Sequence, residues 1–175
     1  MEIIDIFDEH MNPIGTMEKD EAHKKNQWHK NVHIWITNGK SVLMQKRCKP
    51  GLFNGAWVFA VGGHFRAGET LLDATKREFE EELGLKWTFG EANSAVYLKT
   101  TAHTNGSPVY EHRYIVCIKA NLKTSDIKLC ADEASSIKWV PYDKFVHMLD
   151  TVEIYKLMDS EYKDTIKREL WKLIK

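Results

Sequence analysis

The sequence predicts an α+β fold in which helices pack against one mixed sheet. Two observations support this class: segments with strand periodicity outnumber helical ones, and the two kinds are mixed along the chain. A length of 175 residues, with no internal repeat and no linker-like tract, fits a single domain over residues 1–175. We therefore expect one core and one sheet.

The strands are predicted from alternating apolar positions separated by turn residues. Residues 32–37 and 41–47 flank Asn38-Gly39, which favours a type I′ hairpin because both central positions of that turn need positive φ. A second hairpin is predicted around Asn105-Gly106, between strands at 95–103 and 109–120. Shorter strands are expected at 57–61 and 137–140.

Three helices are predicted from apolar residues that recur every three or four positions. They cover residues 71–83, residues 142–149 and a C-terminal segment that begins at Asp159 or Ser160. One face of the last helix carries four apolar or aromatic side chains: Tyr162, Ile166, Leu170 and Leu173.

Composition limits the choice of partners and compartment. Lys plus Arg is 25 and Asp plus Glu is 25, so the net charge gives no argument for nucleic acid or an anionic membrane. The first residues are acidic, no apolar run reaches the length of a membrane span, and the three cysteines are widely spaced. A cytoplasmic protein is expected.

The charges are unevenly distributed along the chain. Residues 22–68 contain eight basic residues and no acid, whereas residues 69–91 contain seven acids and three bases. An anion site beside a cation site is expected.

The predicted helix 71–83 brings three carboxylates together. With about 100° between successive residues, Glu78, Glu81 and Glu82 fall on one face. A separate face, expected to be buried, carries Leu72, Phe79 and Leu83. Like charges at these spacings destabilise a helix by about 0.2–0.5 kcal/mol per pair, and Arg77 alone cannot offset all three. A bound Mg²⁺ would, because it prefers carboxylate oxygens and waters.

This segment resembles the Nudix box, G-x5-E-x7-R-E-U-x-E-E-x-G-U, in which U is a bulky aliphatic residue. Every fixed position is matched, by Gly63, Glu69, Arg77, Glu78, Glu81, Glu82 and Gly84. Leu85 fills the last U position, and Phe79 at the first U position is the single departure. Chance would produce such a match about once in 10⁸ windows. On this resemblance the chain is identified as a member of the Nudix hydrolase superfamily.

The resemblance implies an α/β/α sandwich and a hydrolase that cleaves the diphosphate linkage of a nucleoside diphosphate derivative. It implies that Glu78 and Glu82, usually with Glu81, hold Mg²⁺ or Mn²⁺, and that the carbonyl of Gly63 can join them. A diphosphate needs such a cation because its negative charge repels a nucleophile. Either Glu81 or Glu78 is expected to take the proton from the attacking water.

Two further box residues have implied supporting roles. Arg77 is expected to orient the glutamates through charge-assisted hydrogen bonds. Glu69 is expected to anchor the loop or to hold a water outside the metal's ligands.

The preceding basic segment offers two residues that could bind the diphosphate. Lys46 and Arg47 end a predicted strand and point to opposite faces, so at most one of them reaches the diphosphate. Arg47 is favoured because a guanidinium can bind two phosphate oxygens.

The resemblance extends to the Nudix subgroup related to isopentenyl diphosphate isomerase. It is carried by residues 8–15, His23, His29, Gln45-Lys46-Arg47, Gly51, Trp57 and Gly63-His64. In that isomerase, histidines matching His23, His29 and His64 help to bind a divalent metal, and an essential cysteine precedes the glycine and histidine. Gly62 stands in its place here, and Glu111 is the nearest match to acids on a later strand.

Several alternatives stay open at this point. The three histidines either bind a second metal or are hydrogen-bonded parts of the scaffold, and His33 is expected to be structural. A hydrolase is the leading function; an isomerase-like enzyme and a non-catalytic nucleotide-binding regulator are the alternatives. The expected partner is a small diphosphate, with a monomer or homodimer as the assembly.

Overall fold

The computed structural model describes residues 2–48, 53–89, 94–104, 107–152 and 158–174. Its strands are β1 (Ile3–Phe7), β2 (Pro13–Glu18), β3 (Trp28–Thr37), β4 (Ser41–Arg47), β5 (Trp57–Val58), β6 (Val61–His64), β7 (Ser94–Thr104), β8 (Ser107–Lys119) and β9 (Ala134–Pro141). Its helices are α1 (Lys19–Lys24), α2 (Leu71–Leu83), α3 (Tyr142–Thr151) and α4 (Ser160–Ile174). Within these ranges, no helix is both long and apolar enough to cross a membrane.

The sheet is organised around β3. One edge of β3 pairs in parallel with β8 along residues 29–37. The other edge pairs antiparallel with β1, β6 and β4 in turn. β2 pairs with β1, β7 pairs with β8, and both β5 and β9 pair with β4. The predicted mixed sheet is therefore confirmed, and β6 is placed beside the centre of β3.

Alternate residues of β3 supply two separate cores. Val32, Ile34 and Ile36 are fully buried in the core that contains Phe79 and Leu83 of α2. On the other face Trp35 packs in a core with residues of α3 and α4, namely Phe145, Leu149, Tyr162, Ile166 and Leu170. Helices thus cover both faces of the sheet, as the predicted α/β/α sandwich requires.

Two local predictions are wrong in detail. The predicted strand 57–61 is divided into β5 and β6, because the chain leaves β4 and joins β3 at this point. In the first hairpin, Gly39 has φ of +91° but Asn38 is not in the positive-φ region. Asn38 Oδ1 instead accepts hydrogen bonds from the backbone N–H groups of Lys40 and Ser41. The turn is therefore centred one residue later than predicted.

The N-terminal elements were not predicted. β2 is mostly exposed and α1 has six residues, so neither carries a long apolar pattern. The second predicted hairpin is present as the antiparallel pair β7 and β8. Its turn, Asn105-Gly106, and also Gly51 lie outside the described residues.

Candidate active site

Helix α2 covers the predicted residues 71–83. Thr70 is the N-cap, and a reciprocal capping box joins it to Asp73. Gly84 is the C-cap with φ of +64°, in the left-handed region that glycine adopts without strain. These caps fix the ends of the helix, and Glu78 and Glu82 in its last two turns contact β6.

The predicted separation of an acid face from a core face is wrong. Glu78 and Glu82 are 8% and 5% exposed and lie on the buried side of α2, beside Phe79 and Leu83. Leu72, expected to be buried, is 43% exposed because the first turn packs through Leu71 instead. The three glutamates, called the glutamate cluster below, therefore include two buried carboxylates and one half-exposed carboxylate, that of Glu81.

The two glycines of β6 each contact one of the buried carboxylates. A Cβ built on Gly63 would overlap the carboxylate of Glu78. The backbone N–H of Gly62 donates to Glu82 Oε1 at 2.9 Å, and Gln45 Nε2 donates to Glu82 Oε2 at 3.1 Å. The carboxylate of Glu78 thus lies closer to the backbone of Gly63 than a side chain at that position would permit.

Arg77 joins the loop, β6 and the glutamate cluster. Its Nε and Nη2 donate to the two carboxylate oxygens of Glu69 at 2.7 and 2.8 Å. Nη1 donates to Glu78 at 2.6 Å and to Glu81 at 3.3 Å, while Nη2 also reaches the carbonyl of His64 at 2.8 Å. This geometry supports the orienting role predicted for Arg77.

The loop before α2 is held by the same network. Glu69 Oε2 accepts a hydrogen bond from the backbone N–H of Arg66 at 2.8 Å, which favours loop anchoring among the two roles predicted for Glu69. The Arg66 guanidinium contacts Glu81 at 3.1 Å. Sequence reasoning missed Arg66, because it lies at a variable position of the box.

Burial changes the protonation of the two buried glutamates. It raises the pKa of Glu82 to about 8, because the hydrogen bonds from Gly62 and Gln45 lower this pKa by less than burial raises it. Burial also raises the pKa of Glu78, against the lowering effect of Arg77. In the described part of the chain, neutral groups rather than a lysine or arginine contact Glu82. A cation beside it would favour the ionised form.

These residues fit a hard divalent cation. Carboxylate oxygens are the ligands that Mg²⁺ and Mn²⁺ prefer, and the glutamate cluster supplies them from one helix. Gly63 provides space beside Glu78, and the buried Oε1 of Gln45 has no partner among the described residues. The carbonyl of Gly63 as a further ligand stays a prediction.

A second group of possible ligands lies on the other side of β6. One ring nitrogen from each of His23, His29 and His64 lies within 4.8 Å of the others, and these three residues are called the histidine cluster. Burial lowers the pKa of all three, that of His64 furthest, so neutral imidazoles are favoured. Neutral imidazole is the form that binds metal.

The histidine cluster borders a buried ion pair. Glu111, opposite His29 in the sheet, pairs with Arg113. Its pKa falls to about 2, since Arg113 and the nearby histidines lower it more than burial raises it. His33 lies deeper, with Nδ1 2.8 Å from the hydroxyl of Tyr162, which is consistent with the predicted structural role.

The two basic residues at the end of β4 differ in exposure. Lys46 is exposed, whereas Arg47 is half-buried with Nη1 4.0 Å from Glu133 Oε2. Which of these two residues contacts a substrate stays a prediction.

Known proteins match this chain over most of its length. The NUDIX domain family model matches residues 27–160. Isopentenyl-diphosphate Delta-isomerase 2 of Photorhabdus laumondii is 32% identical over 141 residues, which cover 79% of this chain and 77% of that protein. Nudix hydrolase 3 of Arabidopsis thaliana is 28% identical over 138 residues, but these cover 75% of this chain and 18% of that protein.

A solved structure shows the same fold. It is the bifunctional NMN adenylyltransferase/ADP ribose pyrophosphatase of Francisella tularensis, in complex with AMP and a Mn ion. The TM-score is 0.60 at 17% identity, with 83% of this chain and 42% of that chain covered.

The family match spans most of the chain and contains the capped helix, the β6 glycines and the glutamate cluster. The chain therefore belongs to the Nudix family. Its relatives include both a Nudix hydrolase and an isopentenyl-diphosphate isomerase.

Proposed function

We propose that the protein is a divalent-metal-dependent hydrolase that cleaves the diphosphate linkage of a nucleoside diphosphate derivative. The observation that carries the proposal is the pair of buried carboxylates, Glu78 and Glu82, packed against Gly62 and Gly63. Buried carboxylates of this kind are costly unless a cation compensates them. The oxygens of a diphosphate also bind divalent cations, so one cation could bind both the glutamates and the substrate.

Each residue of the site has a proposed role. Glu78 and Glu82, with Glu81 and the carbonyl of Gly63, would hold Mg²⁺ or Mn²⁺, which neutralises charge on the diphosphate. Glu81 is the carboxylate open to solvent, and we assign it the proton of the attacking water. Arg77 keeps the carboxylates in position.

The substrate and the setting complete the proposal. Arg47 binds the diphosphate, and Lys46 remains in solvent. Three free cysteines fit a reducing, cytoplasmic environment. A monomer or homodimer is proposed, with no membrane or nucleic-acid partner.

A substrate screen tests the proposal. Nucleoside diphosphate sugars, dinucleoside polyphosphates, NADH, nucleoside triphosphates and CoA are incubated with Mg²⁺ or Mn²⁺, and released phosphate or nucleoside monophosphate is measured. We expect cation-dependent release from at least one class and none from the Glu82→Gln variant. Release that is equal in EDTA would contradict the proposal.

The histidine cluster supports an isomerase-like enzyme as a second candidate, since the Photorhabdus relative is an isopentenyl-diphosphate isomerase. The glycine at position 62, where the isomerase has its essential cysteine, argues against this candidate. A Cβ on Gly62 would collide with the ring of Phe59, which stacks on His33 with ring centroids 3.9 Å apart. A cysteine there would require Phe59 to move. Formation of dimethylallyl diphosphate from isopentenyl diphosphate would establish this alternative.

A further inference from the structure

The side-chain amide of Gln45 is buried, and its nitrogen and oxygen differ in hydrogen bonding. The residue lies on β4 and is 2% exposed, and its Nε2 donates to Glu82 Oε2 at 3.1 Å. Its Oε1 is buried without a hydrogen-bond partner among the residues that the structure describes. Such atoms are uncommon in folded proteins and require an explanation.

The surroundings of Gln45 do not explain an amide at this position. It lies opposite Val58 of β5 and Ile137 of β9, and the preceding residues Leu43 and Met44 are fully buried core residues. An apolar side chain would fill the position without leaving a buried polar atom unsatisfied. The contact with Glu82 is therefore the feature that distinguishes a glutamine from an apolar residue here.

The amide group fixes where its oxygen can be. Because the nitrogen and oxygen of one amide are about 2.2 Å apart, Oε1 lies within about 5 Å of Glu82 Oε2. The donor end faces the carboxylate, so the acceptor end remains available to a donor beside it. Gly62 and Gln45 each occupy one oxygen of Glu82, and the remaining lone pairs can face a cation.

We propose that Gln45 is a positioning residue of the metal centre. Its Nε2 holds the Glu82 carboxylate, and its Oε1 accepts a hydrogen bond from a water beside the cation. The inference rests on the proposed function, because it needs the cation that the glutamate cluster is proposed to hold. Loss of supporting partners of this kind lowers metal affinity about 10- to 100-fold.

The test measures metal affinity without substrate. Titrations of Mn²⁺ and Mg²⁺, followed by thermal unfolding, give the cation Kd of wild type, Gln45→Met and Glu82→Gln. Methionine keeps the length of the side chain and removes both polar ends. Thr100→Val is the control, since Thr100 Oγ1 is another buried atom without a partner among the described residues but lies on β7. Gln45→Leu is the second variant if Gln45→Met does not fold.

We expect a cation Kd about 10-fold higher in Gln45→Met and an unchanged Kd in Thr100→Val. An unchanged Kd in folded Gln45→Met would overturn the inference, whatever happens to its melting temperature without metal. Failure of the proposed function looks different. In that case wild type and Glu82→Gln have the same cation Kd. If only the Gln45 inference fails, the Kd of Glu82→Gln is higher than that of wild type, and the Kd of Gln45→Met is unchanged.

Discussion

The glutamate cluster lies on α2 against strand β6, the histidine cluster includes His64 of the same strand, and the side chains of the two clusters differ in charge. Gly62 and Gly63 face the carboxylates, while His64 joins the imidazoles and its carbonyl accepts from Arg77. Glu78 and Glu82 are buried acids with raised pKa values, so burial opposes their ionisation. Burial lowers the pKa values of the imidazoles, so their neutral form is favoured without a cation.

Both clusters have side chains that can bind a metal, but only the glutamate cluster contains buried acids that a cation would help to ionise. The glutamate cluster offers oxygen ligands, which select Mg²⁺ or Mn²⁺, and these cations also bind diphosphates. The histidine cluster offers nitrogen ligands, which suit Zn²⁺. We therefore assign hydrolysis to the glutamate cluster.

The largest expected effect is the loss of activity in Glu82→Gln. A neutral amide is a weak ligand for Mg²⁺, so kcat/KM should fall about 10²-fold or more while the fold is kept. Steady-state kinetics at saturating Mg²⁺, with circular dichroism as the folding control, measures this. Full turnover by the variant would remove Glu82 from the metal centre.

The second effect concerns stability without metal. The pKa of Glu82 in the folded state, about 8, is above its ordinary 4.5, so between these values the folded state holds a proton that the unfolded state has lost. The free energy of unfolding should therefore fall as pH rises through this window, on the order of a few kcal/mol. Denaturant titrations in EDTA at several pH values should show a flatter profile for Glu82→Gln. The same slope in both proteins would show that other groups cause it.

A smaller effect is expected at the end of β4. Arg47→Ala should lower kcat/KM about 10-fold through the loss of one charge-assisted hydrogen bond, and Lys46→Ala should change it little. The two variants are matched controls for each other, since both remove one positive charge. Equal effects, or none from either, would show that this strand end does not bind the diphosphate.

The smallest effect on hydrolysis is expected from His29→Gln. Mg²⁺-dependent turnover should stay within about 2-fold of wild type, because His29 belongs to the other cluster. The same variant should lose most of any Zn²⁺-induced thermal stabilisation. A large loss of Mg²⁺-dependent activity would mean that the two clusters act as one centre.

The local pattern of α2 could be predicted from the sequence, whereas its surroundings could not. Thr70, Asp73 and Gly84 set the ends of the helix by contacts within a few residues. The burial of Glu78 and Glu82 depends on β6, which packs on α2 through tertiary contacts that helical periodicity does not contain. Gln45 and Arg66 reach the glutamates from other parts of the chain, 37 and 15 residues away.

The most direct test of the account is the thermal response to Mg²⁺ of wild type and of the triple variant Glu78→Gln, Glu81→Gln and Glu82→Gln. Cation binding to the folded state should raise the melting temperature of wild type by mass action. The triple variant should be at least as stable without metal, because like-charge repulsion and buried acids are removed, and should show no response. An undiminished Mg²⁺ response in the triple variant would contradict the account and place the cation elsewhere, with the histidine cluster as the next site to test.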